Sequence, residues 1–485
     1  LGADRDGYVL TNFPYLNNGP KDLIGNSGKG KEYAYRSYFG RVMYSYADRY
    51  LFQANIRHDG SSRFAKKHRW GTFPSFSAGW VLSEENFMKN LNWDWLSFLK
   101  IRATWGALGN ERIGDFPYMS TIAFGNTIFY QNNGIYFDQT ASQQKYAIEN
   151  VTWEKTESTD IGLDISFLNN RLRVNGDYYW KNTKDMLLAM AIPDFLGFSD
   201  PDVNAGKMST KGYELNVSWN DHIGDFSYGI AINFSDFTSK MGDLQGTQFL
   251  GDKVKMEGSE FNEWYGYVSD GLFLTEEDLK NSPKINDKNT QLGDIKYKDI
   301  SGPDGVPDGK ISPEYDRVLL GSSLPHFLYG GNINLGYKNF DLSLAFQGVG
   351  KQNARLAREM VEPFRNNYGN FPAIIDGNYW SPYNTDEQNA VAKYPRLTHV
   401  NKSSNYAMSD YWLFNGGYFR LKNITLGYTF PKEWMNAIGI KGARIYASAS
   451  DLFCLSKYPK GWDPEMGVSE YPITTSILLG VSVNF

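Results

Sequence analysis

Hydrophobic and polar residues alternate along many short segments of this 485-residue chain. Between Ile161 and Phe167 every second residue is apolar, and Gly, Asp and Ser occupy the positions between them. The same alternation recurs at 213–219, 226–235 and 340–347. A repeat of two is typical of β-strands that have one apolar and one polar face. The chain is therefore predicted to be all-β and antiparallel.

The alternating pattern predicts about thirteen strands and a regular order of connections between them. The strands span residues 34–47, 49–58, 71–82, 98–108, 157–168, 171–183, 210–220, 224–238, 326–337, 339–349, 418–430, 441–452 and 474–485. Tight turns alternate with long loops at about 109–156, 184–209, 239–325, 350–417 and 453–473. Globular domains disfavour long structureless loops, whereas outer-membrane barrels combine short periplasmic turns with long external loops. The alternation therefore favours a transmembrane β-barrel over a sandwich.

The end of the chain agrees with a barrel. Residues 477–485 read I-L-L-G-V-S-V-N-F, an apolar strand that would leave a sticky open edge in a soluble sheet. Loop parity makes this last strand run inward, so strand one also runs inward and residues 1–32 belong to an extracellular loop. Because a barrel that starts in the periplasm needs an even strand count, we expect further strands upstream. The chain is predicted to be the C-terminal portion of a larger barrel.

Composition excludes some classes of protein but does not decide between a membrane barrel and a water-soluble β-fold. Mean hydropathy is -0.48, and no apolar run approaches the ~18 residues of a membrane helix. Aromatic residues make up 16% of the chain, which fits interfacial girdles but also an aromatic-rich sandwich or propeller. The net charge of -5 has no basic stripe, so nucleic acid is not an expected partner. Cys454 is the single cysteine, which excludes an internal disulfide framework.

Several segments resemble one protein family. Residues 418–431, Y-F-R-L-K-N-I-T-L-G-Y-T-F-P, are similar to the signature near the end of the SusC/RagA family of TonB-dependent outer-membrane transporters. Further segments resemble the same family in the same order, at 49–64, 73–80, 99–110, 293–321 and 391–397. The resemblance covers nearly the whole chain.

This resemblance implies a multi-pass protein of the bacterial outer membrane, in contact with its lipids. The complete barrel would have about 22 strands and a lumen closed by a plug domain. The plug and the TonB-contacting segment are N-terminal in the family and have no counterpart in this chain. The implied partners are a SusD-like surface lipoprotein, the TonB complex and an oligosaccharide or oligopeptide substrate. The terminal Phe485 would be the outer-membrane assembly signal.

One acidic loop resembles an EF-hand-type calcium loop. Residues 299–316 carry carboxylates at Asp299, Asp304, Asp308 and Asp316. Calcium prefers several oxygen ligands around a glycine bend. The fit is incomplete because Val306 holds the third position and Tyr315 stands where the closing acid belongs. The alternative is a series of acidic turns built on D-G dipeptides, and calcium is the one possible cofactor.

The long loops are rich in aromatic residues. We predict that six of them contribute to substrate binding or to the lid interface: Trp264, Tyr265, Tyr379, Trp380, Tyr411 and Trp412. Aromatic rings with polar tips suit both sugar faces and the core of a docked partner. The alternative is that they pack the loops against one another.

The pattern as a whole predicts a transporter and no enzyme, because the chain shows no catalytic constellation. We expect TonB-dependent import of a nutrient oligomer. Two rivals remain: a passive porin-type channel, which would need no plug, and an outer-membrane barrel hydrolase, which would need a Ser/His/acid cluster at one rim.

Overall fold

The computed structural model describes most of the chain. The residues described are 2–5, 24–27, 32–120, 122–131, 134–143, 146–190, 192–244, 246–286, 288–365, 371–468 and 470–485. Within the predicted extracellular segment 1–32, strands Gly2–Arg5 and Ile24–Ser27 pair with each other in antiparallel orientation. The rest of that prediction lies outside the described residues, apart from Glu32.

One thirteen-stranded antiparallel sheet, here called the wall, dominates the structure. Its strands are β1 (Tyr35–Tyr46), β2 (Tyr50–Ser61), β3 (Trp70–Val81), β4 (Leu96–Asn110), β5 (Glu154–Phe167), β6 (Leu172–Lys184), β7 (Met208–Ile223), β8 (Phe226–Met241), β9 (His326–Tyr337), β10 (Phe340–Lys351), β11 (Tyr418–Thr429), β12 (Gly442–Ser456) and β13 (Ser476–Asn484). Each strand pairs with its sequence neighbours in the wall, and the predicted antiparallel fold is confirmed.

The register separates the wall into a polar and an apolar face. One row of paired residues crosses β4 to β11 on the polar face: Lys100, Asp164, Asn175, Asn216, Asn233, Gly330, Gln347 and Arg420. The adjacent row lies on the opposite face: Ile101, Leu163, Gly176, Leu215, Phe234, Tyr329, Gly348 and Phe419. A one-residue step changes the face because side chains alternate along a strand.

The apolar face is open rather than covered by a second sheet. Leu163 is 40% exposed and Ile232 is 46% exposed. Leu479 on β13 reaches 81% and the terminal Phe485 83%. Large exposed apolar surfaces are rare on water-soluble monomers and are required where strands face lipid. The exposed rows therefore match the outward face of a membrane barrel and not the interior of a sandwich.

Short and long connections alternate between β4 and β11, whereas connections 62–69, 82–95 and 430–441 are of intermediate length. Two-residue connections occupy 224–225 and 338–339, and the turn after β5 holds Asn169 and Asn170 at positive φ angles of 58° and 65°. Asparagine tolerates this left-handed conformation better than most residues. The long connections span 111–153, 185–207, 242–325, 352–417 and 457–475. The side of the membrane on which each connection lies stays a prediction.

Two of the long connections share a hydrophobic core, here called the loop core. Its ten buried members are Tyr267, Leu272, Ile295, Tyr297, Ile311, Met360, Val361, Ile375, Tyr406 and Trp412. The fully buried Asp294 joins the two connections by accepting hydrogen bonds from Arg396 (2.7 Å), Asn401 (2.8 Å) and Asn405 (2.8 Å). A buried carboxylate is stable only when such donors satisfy it. Connections 242–325 and 352–417 therefore form one packed unit.

Short elements complete the connections. Among the described residues the remaining strands are Ile122–Gln131, Gly134–Gln143, Leu187–Ala189, Asp202–Asn204, Gln248–Leu250, Lys253–Lys255, Glu263–Tyr267, Ser269–Leu272, Ile295–Tyr297, Arg317–Leu319, Asn353–Arg355 and Leu413–Asn415. The α-helices are Asn86–Lys89, Glu276–Asn281, Arg358–Val361, Asp386–Ala390, Lys402–Asn405 and Lys432–Ala437, and single 3₁₀ turns occupy Leu82–Glu84, Asp194–Leu196, Ala373–Ile375 and Asp410–Trp412. None of these helices is both long and apolar enough to cross a membrane.

Candidate functional site

The polar face of the wall carries a cavity of 820 Å³, here called the wall cavity. Strands β7 to β11 supply its polar lining: Glu214, Asn216, Asn233, Ser235, Asn332, Gln347 and Lys422. Carboxamides both donate and accept hydrogen bonds, so this lining can bind the hydroxyl or amide groups of a ligand as donors or as acceptors. The volume lies in the range of small-molecule and oligomer binding sites.

A charged network crosses the polar face beside the wall cavity. Arg102 on β4 contacts Asp164 on β5 (Nε–Oδ2 3.2 Å) and Asp177 on β6 (Nη1–Oδ1 2.6 Å). Asp160 lies 3.7 Å from the same guanidinium, and Asn175 donates to Asp164 at 2.8 Å. These three strands therefore gain side-chain connections in addition to their backbone hydrogen bonds.

A second charged cluster draws connection 457–475 against the polar face. Arg420 on β11, only 2% exposed, donates to both carboxylate oxygens of Asp463 at 2.6 Å and lies 2.8 Å from Glu465. Gln347 on β10 also donates to Glu465, at 2.9 Å. Gln347 also lines the wall cavity, so connection 457–475 contacts one of the residues of the cavity lining.

The predicted aromatic residues divide into buried and accessible sets. Trp412 is 1% exposed and stacks on Tyr406 at 5.2 Å between ring centroids, inside the loop core. Trp412 therefore packs the two connections against each other in this conformation, and its predicted ligand or lid role stays a prediction. Tyr411 packs edge-on against Trp412 and donates its hydroxyl to the carbonyl of Lys393 at 2.9 Å.

The other four predicted aromatic residues retain accessible surface. Trp264 donates its indole N–H to the carbonyl of Asn353 at 2.6 Å, and Tyr265 lies beneath the Arg317 guanidinium. Tyr379 and Trp380 line a different cavity of 570 Å³. All four are partly exposed. Their substrate or lid role, like that of Tyr411, stays a prediction.

The acidic loop uses its carboxylates to bind its own backbone. Asp316 is fully buried and accepts from the amides of Ile300 (2.8 Å) and Ser312 (2.7 Å). Asp299 accepts from Gly309 N, and Asp308 accepts from Lys310 N. Across the described part of the chain, which includes Asp304, no three acidic, His or Cys side chains form a group that could hold a metal ion. These carboxylates thus act as acceptors within the acidic turns, and calcium binding by the loop stays a prediction.

Alternation places Asp164, Glu214, Asn216 and Asp341 on the polar face, where they are expected to line a hydrophilic path or touch the plug. It gives no role to Arg102, Arg420 or Asp463. Asp164 was recognisable as a polar-face position from its alternation, and Arg420 lay inside the segment that carries the family resemblance. Their ionic partners, Arg102 and Asp463, depend on the register and on the fold of a loop. The periodicity of a single strand does not contain that information.

An antiparallel wall with an apolar outer face, a polar cavity and long packed loops defines an outer-membrane β-barrel receptor class. The chain belongs to the TonB-dependent receptor family: the family model described as "TonB dependent receptor-like, beta-barrel" matches residues 2–452. Proteins of this family are located in the outer membrane, so the predicted localisation is confirmed.

Individual relatives confirm the resemblance to SusC and RagA. The chain is 32% identical over 468 residues to TonB-dependent receptor SusC of Bacteroides thetaiotaomicron, covering 93% of this chain and 43% of the relative. It is 31% identical over 453 residues to TonB-dependent receptor P3 of Formosa agariphila, covering 88% and 42%. The chain thus spans less than half the length of these relatives. A solved structure of the RagAB peptide transporter superposes with a TM-score of 0.80 at 22% identity, covering 99% of this chain and 51% of that one.

Proposed function

We propose that this chain forms the transporting wall of a TonB-dependent importer of nutrient oligomers. The observation that carries the proposal is the wall cavity on a continuous polar row, backed by an exposed apolar face. Family membership supports the same conclusion. The wall separates lipid from a hydrophilic path, and it performs no covalent chemistry on the substrate.

The proposed substrate is an oligosaccharide or an oligopeptide. Both polymers present repeated hydrogen-bonding groups, which the carboxamides of Asn216, Asn233 and Asn332 can bind without a large charge penalty. The name of the similar RagAB transporter states that it carries peptides. This supports the oligomer class but leaves the choice between sugar and peptide to experiment.

The proposed partners are a SusD-like surface lipoprotein and the TonB complex. The lipoprotein would close over the packed unit of connections 242–325 and 352–417, which presents partly exposed aromatic residues such as Trp264 and Tyr379. Aromatic side chains are favoured at protein interfaces because they bury much area with a polar tip. The TonB complex would supply the energy for import.

Deletion and complementation in the native bacterium test the import function. Uptake of fluorescent oligosaccharides and oligopeptides is measured in cells that lack the full-length gene, in complemented cells and in complemented cells that lack TonB. We expect uptake of one oligomer class to require both the gene and TonB. Uptake that persists without TonB would instead identify a passive channel, and hydrolysis of the oligomer by the purified protein would support the barrel hydrolase.

Affinity purification from the same cells tests the lipoprotein partner. A tag on the full-length protein should recover a surface lipoprotein in stoichiometric amount after mild detergent extraction. Recovery of the barrel protein alone, with uptake intact, would show that transport needs no lid.

A further inference from the structure

A second, smaller cavity lies just beyond the ends of β10 to β12 and is here called the loop pocket. It has a volume of 470 Å³ and forms where three long connections meet. Connection 242–325 contributes Lys253 and Trp264, connection 352–417 contributes Asn353 and Arg355, and connection 457–475 contributes Tyr458. Because Arg358 of connection 352–417 also lines the pocket, three separate segments bring three cations and two aromatic rings together.

Most charged groups around the loop pocket already have a partner. Arg355 pairs with Asp252, and Arg358 pairs with Glu362 at 2.6 Å. Glu359, which is acidic and also lines the pocket, pairs with Arg365. The local carboxylates are therefore held by arginines.

Lys253 differs from its charged neighbours. Among the residues that the structure describes, no carboxylate lies within ion-pair distance of its ammonium group, which stands 4.6 Å from the centroid of the Trp264 ring. Burial lowers the pKa of Lys253, because a partly desolvated ammonium group loses hydration without gaining a counterion. A cation–π contact compensates only part of that loss.

Arg355 carries a second hydrogen-bond donor that has no acceptor among the described residues. Its Nε atom is buried and makes no hydrogen bond within the described part of the chain, although the Nη atoms of the same guanidinium are paired. Buried polar groups without partners are uncommon and point to a missing ligand or water. The loop pocket thus holds an unpaired ammonium group and an unpaired guanidinium N–H.

The loop pocket lies close to the proposed transport path. Val349 lines the wall cavity, and Gln352, three residues further along the chain, lines the loop pocket. Three extended residues span about 10 Å. A bound oligomer of a few units can therefore occupy both cavities.

We propose that the loop pocket binds a carboxylate group of the imported oligomer, with Lys253 as the ionic contact and Trp264 as the ring beneath it. This inference rests on the proposed import function and adds a preference for acidic oligomers. The carboxylate can come from a peptide or from an acidic sugar, because both present the same planar anion to the cationic donors.

Calorimetric binding to the purified full-length protein tests the proposal. The probes are an oligopeptide with a free C-terminal carboxylate, the same peptide as its C-terminal amide, an oligogalacturonate and a neutral oligosaccharide of equal length. We expect at least one acidic probe to bind more tightly than its neutral match. Lys253→Met should weaken that acidic probe by about 10-fold or more, the range for loss of a charged hydrogen bond.

Matched variants distinguish loss of the carboxylate site from a general effect of removing a lysine. Lys253→Arg retains the charge and should bind the acidic probe nearly as well as the wild type. Lys280→Met removes an exposed lysine on helix Glu276–Asn281, outside the loop pocket, and should change nothing. Equal affinity for acidic and neutral probes, or an unchanged affinity in Lys253→Met, would overturn the proposal. Comparison of the peptide probes with the sugar probes shows which kind of oligomer supplies the carboxylate.

The binding readout also separates this inference from the import proposal. If cells import only neutral oligomers and Lys253→Met leaves binding unchanged, the import function stands and the carboxylate site is overturned. If the protein imports nothing but binds a carboxylate through Lys253, the import function is overturned and the carboxylate site stands.

Discussion

Two glycines on the polar face allow arginine side chains to cross a neighbouring strand. Arg102 on β4 passes over Gly162 on β5 to reach Asp177 on β6. Arg444 on β12 passes over Gly427 on β11 to reach Asp341 on β10. A Cβ atom at position 162 would lie 2.5 Å from Cζ of Arg102, so any other residue would displace the guanidinium. Glycine here serves side-chain clearance rather than backbone conformation.

Gly162→Ala should therefore break the Arg102–Asp177 contact. We expect the free energy of unfolding to fall by about 1–2 kcal/mol, because a partly buried charged hydrogen bond is lost. Chemical denaturation of the full-length protein in detergent measures this change. Gly176→Ala is the matched control, because its nearest neighbour, Leu215, would lie 3.9 Å from the new Cβ. Equal stabilities of the two variants would show that the contact contributes nothing.

Glu85 lies outside the wall strands, and its carboxylate is expected to make the stability of the protein depend on pH. Its carboxylate accepts from the Tyr50 hydroxyl at 2.5 Å, the Trp80 indole at 3.0 Å and Arg49 at 3.2 Å. These contacts, led by the Tyr50 hydrogen bond, lower the pKa of Glu85. A lowered folded-state pKa stabilises the protein above the unfolded pKa of about 4.3. That contribution is lost as pH falls through the folded-state pKa.

Thermal unfolding of the wild type and Glu85→Gln between pH 3 and 8 tests this. The wild type should be the more stable protein near neutral pH, and its advantage should shrink below about pH 4.3. Parallel curves across the whole range would contradict a folded-state role for the Glu85 charge.

At the scale of elements, connection 457–475 contacts the wall through a buried ion cluster, while its Trp462 and Val468 pack against the loop core. Arg420 is the centre of this contact, with Asp463 and Glu465 from the connection and Asp451 from β12 around it. Lys422 also contacts Asp451, at 2.7 Å. Removal of one partner of a buried ion cluster is costly because the other charges stay desolvated.

Arg420→Met should release connection 457–475 and lower the free energy of unfolding by about 3–5 kcal/mol. Trypsin cleavage at Lys457 and Lys460, both exposed, measures the release as a faster rate of cutting in the folded protein. Arg420→Lys keeps one positive charge and should give an intermediate rate. Cleavage of the Met variant at the wild-type rate would show that other contacts hold the connection.

Sequence periodicity predicted the elements well because it is a local property. All thirteen predicted strands overlap a wall strand, and the boundaries differ by a few residues, as at 98–108 against Leu96–Asn110. The surroundings of Trp412 were not predictable in this way. Its burial depends on Tyr406 and on a loop core whose members come from two connections. Likewise, Asp294 meets Asn405 across 111 residues, a distance that no local pattern encodes.

At the scale of the whole molecule, the two faces of the wall meet different solvents. Ile232 and Asn233 are adjacent on β8, both exposed, and point to opposite sides. Ile232 belongs to the apolar face, whereas Asn233 lines the wall cavity. This neighbouring pair offers the closest comparison between the lipid-facing and cavity-facing sides.

Ile232→Arg should impair insertion of the full-length protein into lipid vesicles, at a cost of about 2–4 kcal/mol for a lipid-facing arginine near the midplane. Asn233→Arg should insert almost as well as the wild type, because its side chain faces the hydrophilic path. Folding is measured by the gel shift between unheated and heated samples. Similar yields for both variants would contradict the assignment of the two faces.

The neighbour-to-neighbour strand order has an evolutionary consequence. Every wall strand is joined to the one that follows it in the sheet, so no long connection carries a strand across the structure. Exchange of one long connection for another therefore leaves the hydrogen-bonded scaffold unchanged. The ligand that such loops contact can therefore change while the backbone pairing of the wall strands stays the same.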